Sequence, residues 1–455
     1  MTPRRAALLS SALLLSLGAV AVATPVTATA PKHSSSGSAT SVADAIGRSA
    51  HTLRSTEPGG SLRDLSALGR MVGDAEVVGL GEATHGSRDF FRMKHRVLRY
   101  LVEEKGFRTF SLELPWSSGV RIDEYVLYGE GDLERIAREE FQGSYRIWNN
   151  ADYLNLIEWM RSYNRHHPAD PVRFAGNDMG YAGPELYRRV TDHVSRVHPH
   201  LRSRVTALYD GLAPTADAAT YLERYLELPL TEREKRADRT RKVLELLRKQ
   251  PTAPGASRQE HLWAVQHARA IHQMAQGYSY DIADEAQVIR MMRYRDRVMA
   301  ENTAWWHEHT GDRILLSAHN THVSYDAFDP RYPKTQGAFL RDTLGGGYVS
   351  IGFTFHSGAF KAFGTDDDVI RTYRVDAARP GSNEHVLDRA RPRDYILDLR
   401  TVPRSLRTWL SEPRPTRNIG AGWPDPTEYR IALGEAHDVL IHLNEVEATT
   451  YLGTP

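Results

Sequence analysis

The chain has 455 residues, 58 Lys and Arg against 57 Asp and Glu, and 41% apolar side chains. That composition supplies a large core, and a net charge of +1 supplies no electrostatic pull toward nucleic acid or an anionic membrane. Cysteine is absent, which excludes disulfides, a thiol nucleophile and thiolate-bound metal, and leaves His and carboxylates to hold any metal.

Taken in chain order, Arg4 and Arg5 precede an apolar run from Ala6 to Ala23, and the small-residue triplets Ala21-Val22-Ala23 and Ala28-Thr29-Ala30 follow. This layout predicts a secretory signal peptide within residues 1–30, cleaved by preference after Ala23, with a membrane anchor as the alternative. Export to the periplasm or the exterior follows, by the general or the twin-arginine route. Residues 31–40 (PKHSSSGSAT) read as a flexible leader, and 41–455 as one domain.

Within that domain, 76–80 (EVVGL) reads as a buried strand. Residues 87–105 read as a helix with Phe90, Phe91, Val97, Leu98, Leu101 and Val102 on one stripe, stopped by Gly106. A second strand is predicted at 109–114, helices at 120–128, 132–139 and 152–166, and a third strand at 172–175. Residues 181–310 are helical in pattern, broken near 213–215 and 251–255. Further strands are predicted at 313–318 and 348–353, with additional runs at 395–399 and 439–443. Strand–helix alternation predicts an α/β fold: a mainly parallel central sheet flanked by helices. The 181–260 stretch reads as a helical insertion or lid, or as a helical layer on the sheet.

Open α/β sheets bind ligands beyond the carboxyl ends of their strands. Those ends carry Glu82 and His85, then Glu113, Asp178, His319 and His322. Lys94 shares the apolar stripe of its helix, and Arg295 lies among Val288, Met291, Met292, Val298 and Met299 of another. Each has a structural alternative. Glu82 fits a helix cap, His85 a packed turn, and Glu113 and Asp178 ion pairs. One of the two later histidines, by preference His322, fits a loop cap. Lys94 fits a snorkelling cation, and Arg295 an anchor between layers.

Together these residues suit activation of water against an acyl carbon. Histidines supply a base and an acid, glutamates orient the rings, and a buried cation stabilises an oxyanion. No Gly-x-Ser-x-Gly elbow, dinucleotide loop or P-loop is present, which favours direct attack by water over a covalent intermediate.

The segment VVGLGEATHGSRDFFRMKHRVLRYLVEEKGFRTFSLE resembles the signature region of the erythromycin esterase family, as do YRIWNNADYLNLIEWMRSYN, RYRDRVMAEN and LLSAHNTHVS. The resemblance runs from about Ser61 to Tyr451. It implies an α/β core with helical additions and hydrolysis of an ester or lactone, a macrolide lactone in the best-known members. By motif position it implies catalytic roles for His85, Glu82, Glu113, His319 and His322, a basic role for Lys94, and water activation without metal or other cofactor. Those best-known members are cytoplasmic, so an exported member weakens the antibiotic-resistance reading. The expected partner is a bulky, weakly charged small molecule reaching the site under the 181–260 helices. Nucleic acid and stable membrane insertion are not expected, and a monomer is. Two rivals remain: a metal-dependent hydrolase using His85, Glu113, His319 and His322, and a non-catalytic haem- or metal-binding protein recognisable by an apolar pocket with one axial ligand.

Overall fold

The computed structural model describes residues 36–251 and 257–453, so the signal-peptide segment lies outside the described residues. A helix over Ser36–Ser49 takes in the second half of the stretch read as a leader.

Twelve strands follow among the described residues: β1 (His51–Thr52), β2 (Val77–Leu80), β3 (Phe107–Pro115), β4 (Arg173–Asp178), β5 (Arg313–Ser317), β6 (Tyr348–Gly364), β7 (Ile370–Val375), β8 (Tyr395–Asp398), β9 (Arg414–Pro415), β10 (Gly422–Trp423), β11 (Arg430–Ile431) and β12 (Val439–Val446). The main sheet runs β1-β8-β12-β6-β2-β5-β3-β4. Every pairing from β12 to β4 is parallel, while β8 and β1 extend the other edge antiparallel. The fold is the mixed α/β class with a mostly parallel sheet that the alternation predicted.

Register is what assembles the site. Ile351, Leu80, Ser317, Leu112 and Gly176 form one row across β6, β2, β5, β3 and β4. One or two residues past that row come Glu82, His319, Glu113 and Asp178. Parallel strands in this register turn four distant sequence positions into neighbours.

The helix Arg88–Lys105 follows β2 because Ser87 caps it, accepting from the Phe90 N–H, and Gly106 ends it in the left-handed conformation at φ 71°. Its predicted stripe is buried, with Phe90 against Phe353 of β6 at 5.0 Å between ring centroids. The turn before it is pinned by backbone. The Gly86 carbonyl accepts from the N–H groups of Lys361 and Thr449, and a Cβ on Gly86 would sit 1.8 Å from the Lys361 oxygen. Only glycine tolerates that approach.

Five α-helices among the described residues form a layer: Pro184–Val197, Arg202–Tyr209, Ala218–Glu227, Leu230–Arg248 and Arg258–Gly277. Trp116, Trp263, Trp305 and Trp306, packed edge to face, tie this layer to the sheet. No helix among the described residues is long and apolar enough to cross a membrane.

β6 departs most from expectation. The sequence predicted six residues; the strand has seventeen. Its first half lies between β12 and β2, and its second half projects past the sheet and pairs with β7 and β10. Thr354, His356, Ser357 and Gly358 interrupt the apolar run just past Phe353, which is why periodicity alone ends the strand early.

Candidate active site

Two buried polar networks meet at the strand ends. The first is built on the turn after β2. His85 Nδ1 lies 2.6 Å from Glu82 Oε1, and since a carboxylate only accepts, the proton sits on Nδ1. The other Glu82 oxygen receives the Lys94 ammonium. Lys94 also donates to Ser317 Oγ at 2.9 Å, which is bonded to the Tyr153 hydroxyl at 2.9 Å. Burial pulls the Lys94 pKa below its ordinary value, with Glu82 opposing. The buried His85 ring rests edge-on against Trp148 at 4.8 Å. Its Nε2 has no hydrogen-bond partner among the described residues.

The second network centres on Arg295, fully buried on the helix Glu285–Thr310. Its guanidinium donates to Asp178 Oδ2 at 2.6 Å and to Glu113 Oε1 at 2.7 Å, and Nη1 lies 3.2 Å from His322 Nε2. His322 Nδ1 is 2.9 Å from Asp296 Oδ1. Glu113 and Asp178 thus flank the guanidinium, and Asp296 joins the network through His322. Burial works against a charged His322, but Asp296 and Glu113, the latter 3.4 Å from Nε2, outweigh it and push its pKa up to about 10. Burial raises Glu113, yet His322 and Arg295 prevail and hold it well below the usual carboxylate range.

His319 stands between the two networks. Its N–H donates to Glu113 Oε2 at 3.1 Å, and its ring is 5.0 Å from that of His85. Nδ1 caps the short helix Asn320–Val323, accepting from the Thr321 N–H, and Nε2 pairs with the Ile419 carbonyl at 3.1 Å. Burial, followed by the charges of His85 and His322, drives its pKa well down. The cap expected of His322 therefore belongs to His319, because His322 has two carboxylates to serve.

His85, His319 and His322 line a narrow cleft with Thr321, Asp329, Arg331, Tyr332, Thr365 and the loop from Asn418 to Tyr429. Past Asn418, Asp425 and Tyr429 it adjoins a wider groove of about 560 Å³ whose lining mixes Arg374, Arg379 and Arg417 with Asp376 and Glu384. The walls of both come from His85, 319–332, Thr365 and 374–429. Access under the 181–260 helices is corrected accordingly: none of those residues lines the cleft, since the helices pack over the tryptophan layer instead. The lining is polar and charged, unlike the apolar pocket of the carrier reading. The proposed metal set does not fit either. Glu113 is spent on Arg295 and His322, and His319 has both ring nitrogens engaged.

All eight residues picked from the sequence converge here. Trp148, Tyr153, Asp296, Ser317 and Tyr332 were missed. Asp296 adjoins Arg295 in sequence, and that adjacency was the available signal. Tyr332 lies in an irregular segment without periodicity; its ring is edge-on to His322 at 5.2 Å and its hydroxyl has no partner among the described residues.

Fold and site define an α/β protein with a histidine–carboxylate centre at its strand ends. Residues 102–446 match the family model described as erythromycin esterase, and the chain belongs to the erythromycin esterase family, a family of hydrolases. The match takes in Glu113, Asp178, Arg295, His319 and His322 and begins after His85. An erythromycin esterase type II of Escherichia coli is 24% identical over 381 residues, covering 77% of this chain and 87% of the relative. A crystal structure of a Bacillus cereus protein is 29% identical with a TM-score of 0.83, covering 91% of this chain and 99% of that one. An erythromycin esterase mutant in its open conformation has the same fold, with a TM-score of 0.64 at 18% identity over 86% of this chain and 96% of that one.

Proposed function

We propose that the protein is an exported esterase or lactonase that works by direct attack of water, with His85 as general base. The observation that carries this is the free Nε2 of His85, on a ring whose other nitrogen is fixed by Glu82 and which lines the cleft. Nε2 takes a proton from water as the oxygen attacks the carbonyl carbon. The resulting oxyanion faces the His322 cation and the Tyr332 hydroxyl, and His322 supplies charge rather than a proton because both its nitrogens are engaged. When the carbon–oxygen bond breaks, the departing alkoxide takes the proton from His85 Nε2. An acid and an alcohol result, joined in one molecule if the substrate is a lactone.

The adjoining groove supports a bulky substrate, and its alternating charges support one of low net charge. A macrolide lactone is the first substrate to try, in view of the Escherichia coli relative. The signal-peptide pattern of residues 1–30 supports work outside the cytoplasm. The test is mass spectrometry of erythromycin and a panel of small lactones and esters, incubated with the protein and with His85→Ala. Addition of one water by the unmutated protein alone is the expected result. Turnover of a phosphoester or peptide, with no ester or lactone opened, overturns it.

A further inference from the structure

Away from the cleft, the helical layer buries three histidines together. His193 is on the helix Pro184–Val197, His198 is the residue that caps its carboxyl end, and His261 is in the first turn of Arg258–Gly277. All three are at least 93% buried, at 4%, 4% and 7% exposure. His193 Nε2 lies 3.2 Å from His261 Nδ1, and one nitrogen of each ring lies within 4.8 Å of one nitrogen of each other ring. Ligand nitrogens about 2.0–2.1 Å from a tetrahedral zinc sit roughly 3.3 Å apart, so the closest pair already has the spacing that a shared metal imposes. His198 Nε2 is buried without any hydrogen-bond partner. A buried polar nitrogen lacking a partner is costly, and this one points to a ligand shared with the His193–His261 pair beside it.

No carboxylate shares the cluster as it stands. Glu260 is the acid that acts on His193, and it is exposed and paired with Arg196 at 3.1 Å. Burial pushes His193 down to about 4 and lowers His198 and His261 as well, so all three rings are neutral at physiological pH with lone pairs available. The Leu247 carbonyl favours a proton on His261, which suits a ring whose Nδ1 lone pair turns inward. Three imidazoles without thiolate select borderline divalent ions rather than calcium or magnesium.

We propose that His193, His198 and His261 form a structural site for zinc or a similar divalent transition metal, with water or Glu260 in the fourth position. The site clamps the end of one helix to the start of another within the layer that covers the sheet. It is separate from the hydrolytic centre, and its metal takes no part in attack on the substrate.

The experiment uses the untagged full chain, stripped with chelator and titrated with Zn²⁺ or Co²⁺. Expected are one bound equivalent by elemental analysis after gel filtration, a Co²⁺ visible spectrum of four-coordinate intensity, and a thermal midpoint raised by about 2–5 °C. His193→Ala and His261→Ala each weaken binding by more than about a hundredfold. His85→Ala is run in parallel and keeps the full equivalent. Should either histidine variant fail to fold, X-ray absorption on the unmutated and His85→Ala proteins decides, by showing or failing to show imidazole nitrogens at about 2.0–2.1 Å. No bound equivalent in the folded protein overturns the proposal, and so does metal lost in His85→Ala, which moves the site to the strand ends.

Discussion

The two networks at the strand ends are built from the same materials and do different things. Around Arg295 every titratable partner is bonded to another: Glu113 and Asp178 to the guanidinium, His322 to Asp296. Around His85 the chain Lys94–Glu82–His85 stops one bond short, leaving Nε2 open to the cleft. The closed network holds geometry and charge, whereas the unfinished one has a valence left for chemistry. Burial alone does not distinguish them, since Glu82, Lys94, Glu113 and Arg295 are all completely inaccessible.

The strongest way to break this contrast is His85→Ala. Turnover is expected to fall by about 10²–10⁴-fold, the usual worth of a general base, with the urea midpoint nearly unchanged. A large loss of stability with retained activity would reverse the two roles. Arg295→Met should do the opposite first. It strands Glu113 and Asp178 in the interior, at a cost of about 3–5 kcal/mol by urea unfolding, with or without any assay of turnover.

Two finer tests bear on the cleft. Tyr332→Phe removes a hydroxyl that the fold itself does not use, so kcat should drop, by up to about 10²–10³-fold if it meets the oxyanion directly, with little change in stability. Glu82→Gln loses a charged hydrogen bond to His85, worth about 1.5–3 kcal/mol, and should slow turnover by about ten- to a hundredfold. The smallest effect is in pH dependence. His322 has a folded pKa of about 10 against an ordinary 6.5. Its ion pairs therefore stabilise the fold in full below about 6.5, and that contribution fades as pH rises toward 10. The urea midpoints of the protein and of His322→Gln should converge over that interval, and a gap that widens would show the ring to be neutral.

Much of this was legible because buried charge is conspicuous in sequence. Lys94 inside the Phe90–Val102 stripe and Arg295 among methionines announce inward partners, and both have them. Glu113 in an apolar strand does the same. The division of labour between His319 and His322 was not legible, because it depends on Asp296 and Ile419, whose approach is set by tertiary packing. Tyr332 and Trp148 belong to irregular and 3₁₀ segments, where no period marks an inward face. The histidine cluster of the helical layer escaped for a similar reason, since His193 and His261 are 68 positions apart and meet only through helix pairing.

The length of β6 has an evolutionary consequence. One continuous strand supplies both a central member of the sheet and, beyond it, the scaffold from which β10 and Thr365 reach the cleft and β7 the adjoining groove. The inner half is locked by neighbours on both sides and Lys361 of the outer half pins the Gly86 turn, but the hairpin tip between β6 and β7 can lengthen, shorten or exchange residues without disturbing the register that sets Glu82, Glu113 and His319. Selection for a new substrate can therefore act on the overhang while the machinery beneath is inherited intact.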